Sequence, residues 1–325
     1  MMRTFVARMA IASTVVMFLV LIQGTLVTTT GSADGCGDSW PLCHGEFIPQ
    51  YTVSTAIEYS HRLVVSLASI MIITTAIGAL WFYRQRLEMR IYVPIMVVSL
   101  FLQAGLGAAA VKWPQADAVL ALHFGVSLIS FASTLLTATL IREMNGADRL
   151  RDRPIPQRMI WAIWGLAAYT YVVVYIGAYV RHSNASLACL DWPLCNGSVF
   201  PGFSGPVGVM FGHRVAALIL TIAMGALLYW TFRHRVRRPD LFWSSAIAFV
   251  LLLAQGISGG IVVLTRLDVF ATLSHGVIVS AFFGALSYLC VHTLPRPVAV
   301  RQPAHAVERD DGFAGYPRTA SSPGD

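Results

Sequence analysis

The sequence predicts an all-α polytopic membrane protein whose eight transmembrane helices form two tandem pseudo-symmetric four-helix bundles. Three observations carry this. Of the 325 residues, 56% are hydrophobic and only 12% charged, against about 25% charged in soluble domains, and the mean hydropathy is +0.65. Apolar runs of about 20 residues, the length that crosses a bilayer core, recur along the chain. The second half repeats landmark residues of the first at a fixed offset. So few charges leave much of the surface facing something other than water, which excludes a disordered chain and argues against a water-soluble globule.

The first run, 5–27, follows Arg3 and Arg8 and so looks like the start of a secretory signal. It is too long for the apolar core of a signal peptide, and no small-x-small cleavage site follows promptly, so it reads as a span. The next runs are 59–83, closed by Arg84, Arg86 and Arg90, then 91–111, closed by Lys112, and 118–141, closed by Arg142. A stretch at 142–158 with Pro154 and Pro156 links the halves. Beyond it lie 159–180, closed by Arg181, and 207–232, closed by Arg233, Arg235, Arg237 and Arg238; then 241–264, closed by Arg266, and 270–292. The domains expected are 1–141, the linker 142–158, and 159–292. The segment 293–325, rich in Pro, Arg, Asp, Ser and Gly, reads as a disordered tail.

The net charge of +7 comes from 22 Arg and the single Lys112 against 16 acidic residues. The arginines concentrate in alternate connections (84–90, 142–158, 233–238), and the others hold only Lys112, Arg181 and Arg266. The positive-inside rule makes the Arg-rich loops cytoplasmic. Both termini are then cytoplasmic, which an even number of spans requires, and the chain is expected in a bacterial plasma membrane. Orientation accounts for the charge. No basic face with interleaved aromatics suggests nucleic acid.

Trp40-Pro41-Leu42-Cys43 recurs as Trp192-Pro193-Leu194-Cys195, an offset of 152. His61-Arg62 recurs as His213-Arg214, Gln103 as Gln255 and His123 as His275 at the same offset; Cys36 and Gly24 recur as Cys189 and Gly177 at 153. Each half is therefore one four-helix unit. Four is even, so the halves share an orientation and are related by an axis along the membrane normal.

His61, His123, His213 and His275 each sit about one turn inside the outer end of a span, on the second and fourth helix of each half. Ionisable groups within spans are costly and usually mark function. Diagonal partners at one depth in a four-helix bundle suit bis-histidine haem ligation. Zinc is a weaker competitor, because no third ligand accompanies either pair. Gly105, Gly107, Gly259 and Gly260 leave room for a flat macrocycle or serve helix packing. Arg62 and Arg214 either pair haem propionates or snorkel to lipid phosphates. The remaining histidines, His44, His182, His234, His292 and His305, read as solvated polar residues.

Cys36 with Cys43 and Cys189 with Cys195 fall in outer loops, where the oxidising side favours two short disulfides. They are either structural ties or, in the first pair, redox-active; Cys290 is a packing residue. The halves differ most at Glu58, whose counterpart is Met210. At i and i+3 it shares a helical face with His61. It serves proton transfer or stabilises positive charge there, or is an interfacial residue favoured by the helix N-terminal dipole.

Together Thr30-Gly31-Ser32, Cys36 through Gly45, Glu58-Tyr59-Ser60-His61-Arg62, Leu122-His123, Cys189 through Gly197, Gly212-His213-Arg214 and Ser274-His275-Gly276 resemble the haem A synthase family over about residues 10–292. The resemblance implies that His213 and His275 hold haem b as cofactor, and that His61 and His123 embrace the substrate haem O. It implies Glu58 as catalytic, and oxidation of the porphyrin C8 methyl to a formyl group, giving haem A for cytochrome oxidase. Its implied partners are haem O synthase, an electron donor of unspecified identity and membrane lipid. Two rival readings are a di-haem b cytochrome taking electrons from quinol, which has no use for Glu58 in one half, and a quinone-linked thiol oxidase, which has no use for the histidine quartet.

Overall fold

The computed structural model describes residues 2–50, 52–114, 116–144 and 153–294. Eight helices account for most of them: α1 Met2–Thr29, α2 Val53–Tyr83, α3 Leu87–Lys112, α4 Asp117–Glu143, α5 Gln157–His182, α6 Gly205–Arg233, α7 Pro239–Leu264 and α8 Val269–Val291. All eight are long and apolar enough to cross a membrane. At about 1.5 Å per residue even the shortest, 23 residues, exceeds a hydrocarbon core of about 30 Å. Among the described residues there is no named strand. Residues 145–152 of the expected linker and the tail from 295 onward lie outside the described residues.

Helices form here because the bilayer leaves no other partner for backbone amides, and neither face of most of them is polar. On α2, Leu63, Leu67, Ile70, Ile77 and Trp81 form an exposed stripe at helical spacing, while Ala68, Ile72, Ala76 and Ala79 line the opposite, buried side. The exposed stripe is the one that lipid would cover.

Helix α1 packs on α2 and α4, and α3 on α4 and α2; in the second half α5 packs on α6 and α8, and α7 on α8 and α6. The halves meet where α4 lies on α5, α1 on α8, and α4 on α8. That central position makes α4 the most buried helix. Its inward face carries Ser127, Ser130, Ser133, Thr134 and Thr137, which are small enough for close packing. Each of these hydroxyls except that of Ser130 donates to a carbonyl four residues back, as in Thr134 Oγ1 to Ser130 O at 2.7 Å. At Gly125 the hydroxyl of Tyr171 from α5 comes so near that a Cβ there would lie 2.8 Å from it. Arg181 reaches from α5 to the Thr28 carbonyl of α1 at 3.0 Å, so a side chain also ties the halves directly.

The helices begin earlier than the apolar runs suggest. Helix α2 starts at Val53, six residues ahead of 59, because Thr52 caps it by accepting the Thr55 amide at 3.2 Å. Asp268 caps α8 in the same way through the Ala271 amide at 3.0 Å. His61 is consequently the ninth residue of α2 and His213 the ninth of α6, while His123 and His275 are the seventh of α4 and α8. The four lie about two turns inside their helices rather than one.

Candidate functional site

Both disulfides form, Cys36–Cys43 and Cys189–Cys195. Each closes a loop of one design: a short antiparallel bridge (Cys43 with Glu46, Cys195 with Ser198) around two residues of positive φ. Those residues are His44 and Gly45 (φ 52 and 79) in one loop, Asn196 and Gly197 (53 and 76) in the other. Glycine and asparagine tolerate that region, and His44 is the less usual occupant. In the second loop Asp191 accepts the amides of Asn196 and Gly197 at 2.6 and 2.7 Å. These amides, Gly197's above all, together with Arg214, hold its carboxyl below the usual carboxylate range.

Arg62 and Arg214 turn upward into these loops. Arg62 Nη1 donates to the Ser39 and Leu42 carbonyls, each at 2.7 Å, and Nη2 to Glu58 Oε1. Arg214 donates to the Leu194 carbonyl and, at 2.9 Å, to that of Asp191. In this structure the guanidinium groups therefore fasten each disulfide loop over its helices, a role that neither propionate pairing nor snorkelling describes. The planar fork of arginine suits several carbonyls at once.

Glu58 is buried. It is the sixth residue of α2, beyond the first turn where a helix dipole acts, so the reading as a residue placed at the helix start does not apply. Oε2 accepts the Cys36 amide at 2.7 Å, while Oε1 meets Arg62. The carboxylate thus joins the disulfide loop to the turn that carries His61. Met210, its counterpart, is buried among Cys189, Cys195, Val180 and Val263.

The four histidines share a setting. A Cβ on Gly24 of α1 would lie 3.4 Å from His61 Cε1, and one on Gly107 of α3 would lie 3.4 Å from His123 Cε1. The corresponding distances are 2.8 Å from Gly177 of α5 to His213, and 3.2 Å from Gly259 of α7 to His275. Each ring therefore rests on a glycine of the preceding helix. Buried Nδ1 atoms of His61, His123 and His213 have no hydrogen-bond partner. Burying such a group unpaired costs about 1–3 kcal/mol. Two imidazoles in each half, three of the four with an unsatisfied buried nitrogen, fit the axial donor set of a haem. Among the described residues no group of three or more His, Cys, Asp or Glu is placed to share a metal ion.

A family model described as cytochrome oxidase assembly protein matches residues 7–287. The chain is 43% identical to the haem A synthase of Geobacillus kaustophilus over 94% of this chain and 96% of that one. It is 42% identical to that of Symbiobacterium thermophilum over 88% and 94%, and 40% identical to one from Bacillus cereus over 89% and 93%. The chain belongs to the haem A synthase family. As a member of that family it is a multi-pass membrane protein and an oxidoreductase.

In this haem A synthase family member Gly107 and Gly259, read from the sequence as making room for a macrocycle or serving helix packing, lie against His123 and His275. Gly105 has open space where a Cβ would stand, and Gly260 lies under the Trp192 indole. Gly24 and Gly177 were visible in the sequence only as a recurrence, and the helix-to-helix contact that gives them work is tertiary. The expectation that His292 is solvated is wrong. It is buried, and its Nδ1 lies 3.0 Å from Asp240 Oδ2, where Arg238 also pairs through Nη2 at 2.7 Å. Arg238 further donates to the His292 carbonyl at 2.7 Å, so the cluster fastens the start of α7 to the end of α8. Sequence reading missed it because its members lie 52 residues apart. His182 ends α5 and is half-buried rather than fully solvated, and His234 is half-buried with Nδ1 3.0 Å from the Trp230 carbonyl. His44 is exposed, and His305 lies outside the described residues.

Proposed function

We propose that the chain oxidises the C8 methyl group of haem O to a formyl group, producing haem A. In this reading α1–α4 form the substrate half, with His61 and His123 embracing haem O, and α5–α8 form the cofactor half, with His213 and His275 holding haem b. Haem b, when bound, supplies one-electron redox chemistry. His213 and His275 offer it two imidazole donors. Arg62 and Arg214 hold the disulfide loops down over the pairs and keep water from them. Glu58, three residues before His61, presents the one carboxylate of the site. It takes a proton from the reacting carbon or stabilises positive charge there.

What carries the reading is the duplicated His–Gly setting with a carboxylate in one half alone. A pure di-haem cytochrome has no use for that asymmetry. The disulfide loops face the outside and the arginine-rich ends, with both termini, the cytoplasm. Haem O synthase supplies the substrate. On becoming a formyl group the methyl loses four electrons and gains one oxygen atom, so an external oxidant such as dioxygen is consumed. A separate electron donor completes its reduction to water when each two-electron step consumes its own dioxygen. Co-expression with a haem O synthase, followed by pigment extraction, tests the reaction. Haem A is expected to appear. If haem O persists unchanged while the protein is abundant in the membrane, the proposal fails.

A further inference from the structure

We propose that Gly177 and Gly259 are positioning residues for His213 and His275, and that the seats of α5–α8 are built tight for a resident macrocycle while those of α1–α4, at Gly24 and Gly107, are built slack for one that enters and leaves. The inference rests on the haem reading above and deepens it.

The seats are graded. A Cβ at Gly177 would stand 2.8 Å from His213 Cε1 and 3.3 Å from its Nε2, closer than carbon atoms approach, and at Gly259 the distance is 3.2 Å. At Gly24 and Gly107 it is 3.4 Å to Cε1 and 3.8–3.9 Å to Nε2, ordinary contact. Measured at the Cβ position, the rings of His213 and His275 thus lie closer to the facing backbone than those of His61 and His123 do, by 0.6 Å at Gly177 (2.8 against 3.4 Å) and 0.2 Å at Gly259 (3.2 against 3.4 Å). Glycine is the only residue that permits the tight approach.

A second difference runs the same way. Gln255 Nε2 lies 2.9 Å from His275 Nε2, and Ser258 Oγ lies 2.9 Å from His275 Nδ1. An amide nitrogen only donates, so His275 Nε2 accepts and Nδ1 carries the proton, which it donates to Ser258 Oγ. The serine's own proton goes to the Gln255 carbonyl at 2.9 Å. This fixes the tautomer as outer-sphere partners of metal ligands do, and the Nε2 lone pair, freed of the Gln255 amide, would be the donor offered to a haem iron. In the first half Gln103 instead sets Nε2 3.8 Å from Met17 Sδ. The position matching Ser258 is Leu106, and His123 Nδ1 has no partner. The ring of His275 is held on both nitrogens; that of His123 is not.

The test uses the full chain purified with its haem, reading haem b per protein and the low-temperature electron paramagnetic resonance (EPR) spectrum of the ferric form. Gly177→Ala is expected to shift the g values and lower retained haem b most, and Gly259→Ala less. Gly24→Ala and Gly107→Ala should leave the haem b signal as in the parent, as should Gly165→Ala, which has open space on α5. Ser258→Ala, which crowds nothing, should weaken haem b retention about tenfold, and Ser258→Thr should restore it. A Gly177→Ala spectrum identical to that of Gly165→Ala overturns the seats. Gly24→Ala disturbing haem b as strongly as Gly177→Ala overturns the asymmetry, and Ser258→Ala behaving as the parent overturns the anchor. A parent protein that retains no haem b would sink the haem reading itself, a result distinct from all of these.

Discussion

At the scale of single residues, Glu58 has two tasks that a substitution separates. Its carboxylate accepts the Cys36 amide and pairs with Arg62, both buried beneath the first disulfide loop. Glu58→Gln keeps an acceptor for the amide but removes the charge facing Arg62. Arg62 retains two carbonyls, so the loss should stay near that of one charge-assisted hydrogen bond, about 1.5–3 kcal/mol. The expected outcome is a lowered thermal midpoint, haem A formation abolished in the co-expression assay, and haem b content unchanged. Haem A formation surviving in the variant would remove Glu58 from the chemistry and leave it a loop fastener. Much of this residue was legible in the sequence. The asymmetry with Met210 and the i, i+3 relation to His61 were there to read, but the Cys36 amide was not, because hydrogen bonds to a loop 22 residues away depend on how that loop folds.

At the scale of elements, the inner ends of α7 and α8 are joined by Arg238, Asp240 and His292. Arg238 is 2% exposed and pairs with Asp240 in a bidentate contact, Nε to Oδ1 at 2.9 Å and Nη2 to Oδ2 at 2.7 Å. Removing one member of such a buried pair strands the other charge, at about 3–5 kcal/mol. Asp240→Asn should therefore lower the detergent-solubilised protein's unfolding midpoint far more than Asp268→Asn, which alters only a helix cap. Equal losses would mean that the cluster is better solvated than its burial indicates. Span positions could be read from apolar runs, yet helix starts could not. Caps such as Thr52 lie in polar stretches that hydropathy passes over, and so His61 proved to be six residues further into its helix than the run suggested, against one or two residues for the other three.

At the scale of the molecule, all four histidines and both disulfides gather at one end and the arginine-rich connections at the other. If the disulfide end faces outward, a cysteine substituted at exposed Phe47 or Val199, in the two disulfide-bearing loops, should react with a membrane-impermeant thiol reagent on intact cells. Labelling that requires permeabilised cells would reverse the orientation.

The count of spans, the duplicated halves, the cysteine pairs and the histidine quartet were determined by the sequence alone. Each follows from residue type and spacing along one chain, through hydropathy, the cost of ionisable groups in lipid, and a fixed offset. What Arg62 and Arg214 hold, where His292 is buried, and which glycine lies under which imidazole were decided only by the tertiary structure. Those are contacts between helices or between a helix and a loop, and the distances that matter, 2.8 Å against 3.4 Å at two glycines of like spacing, are set by how closely two backbones approach.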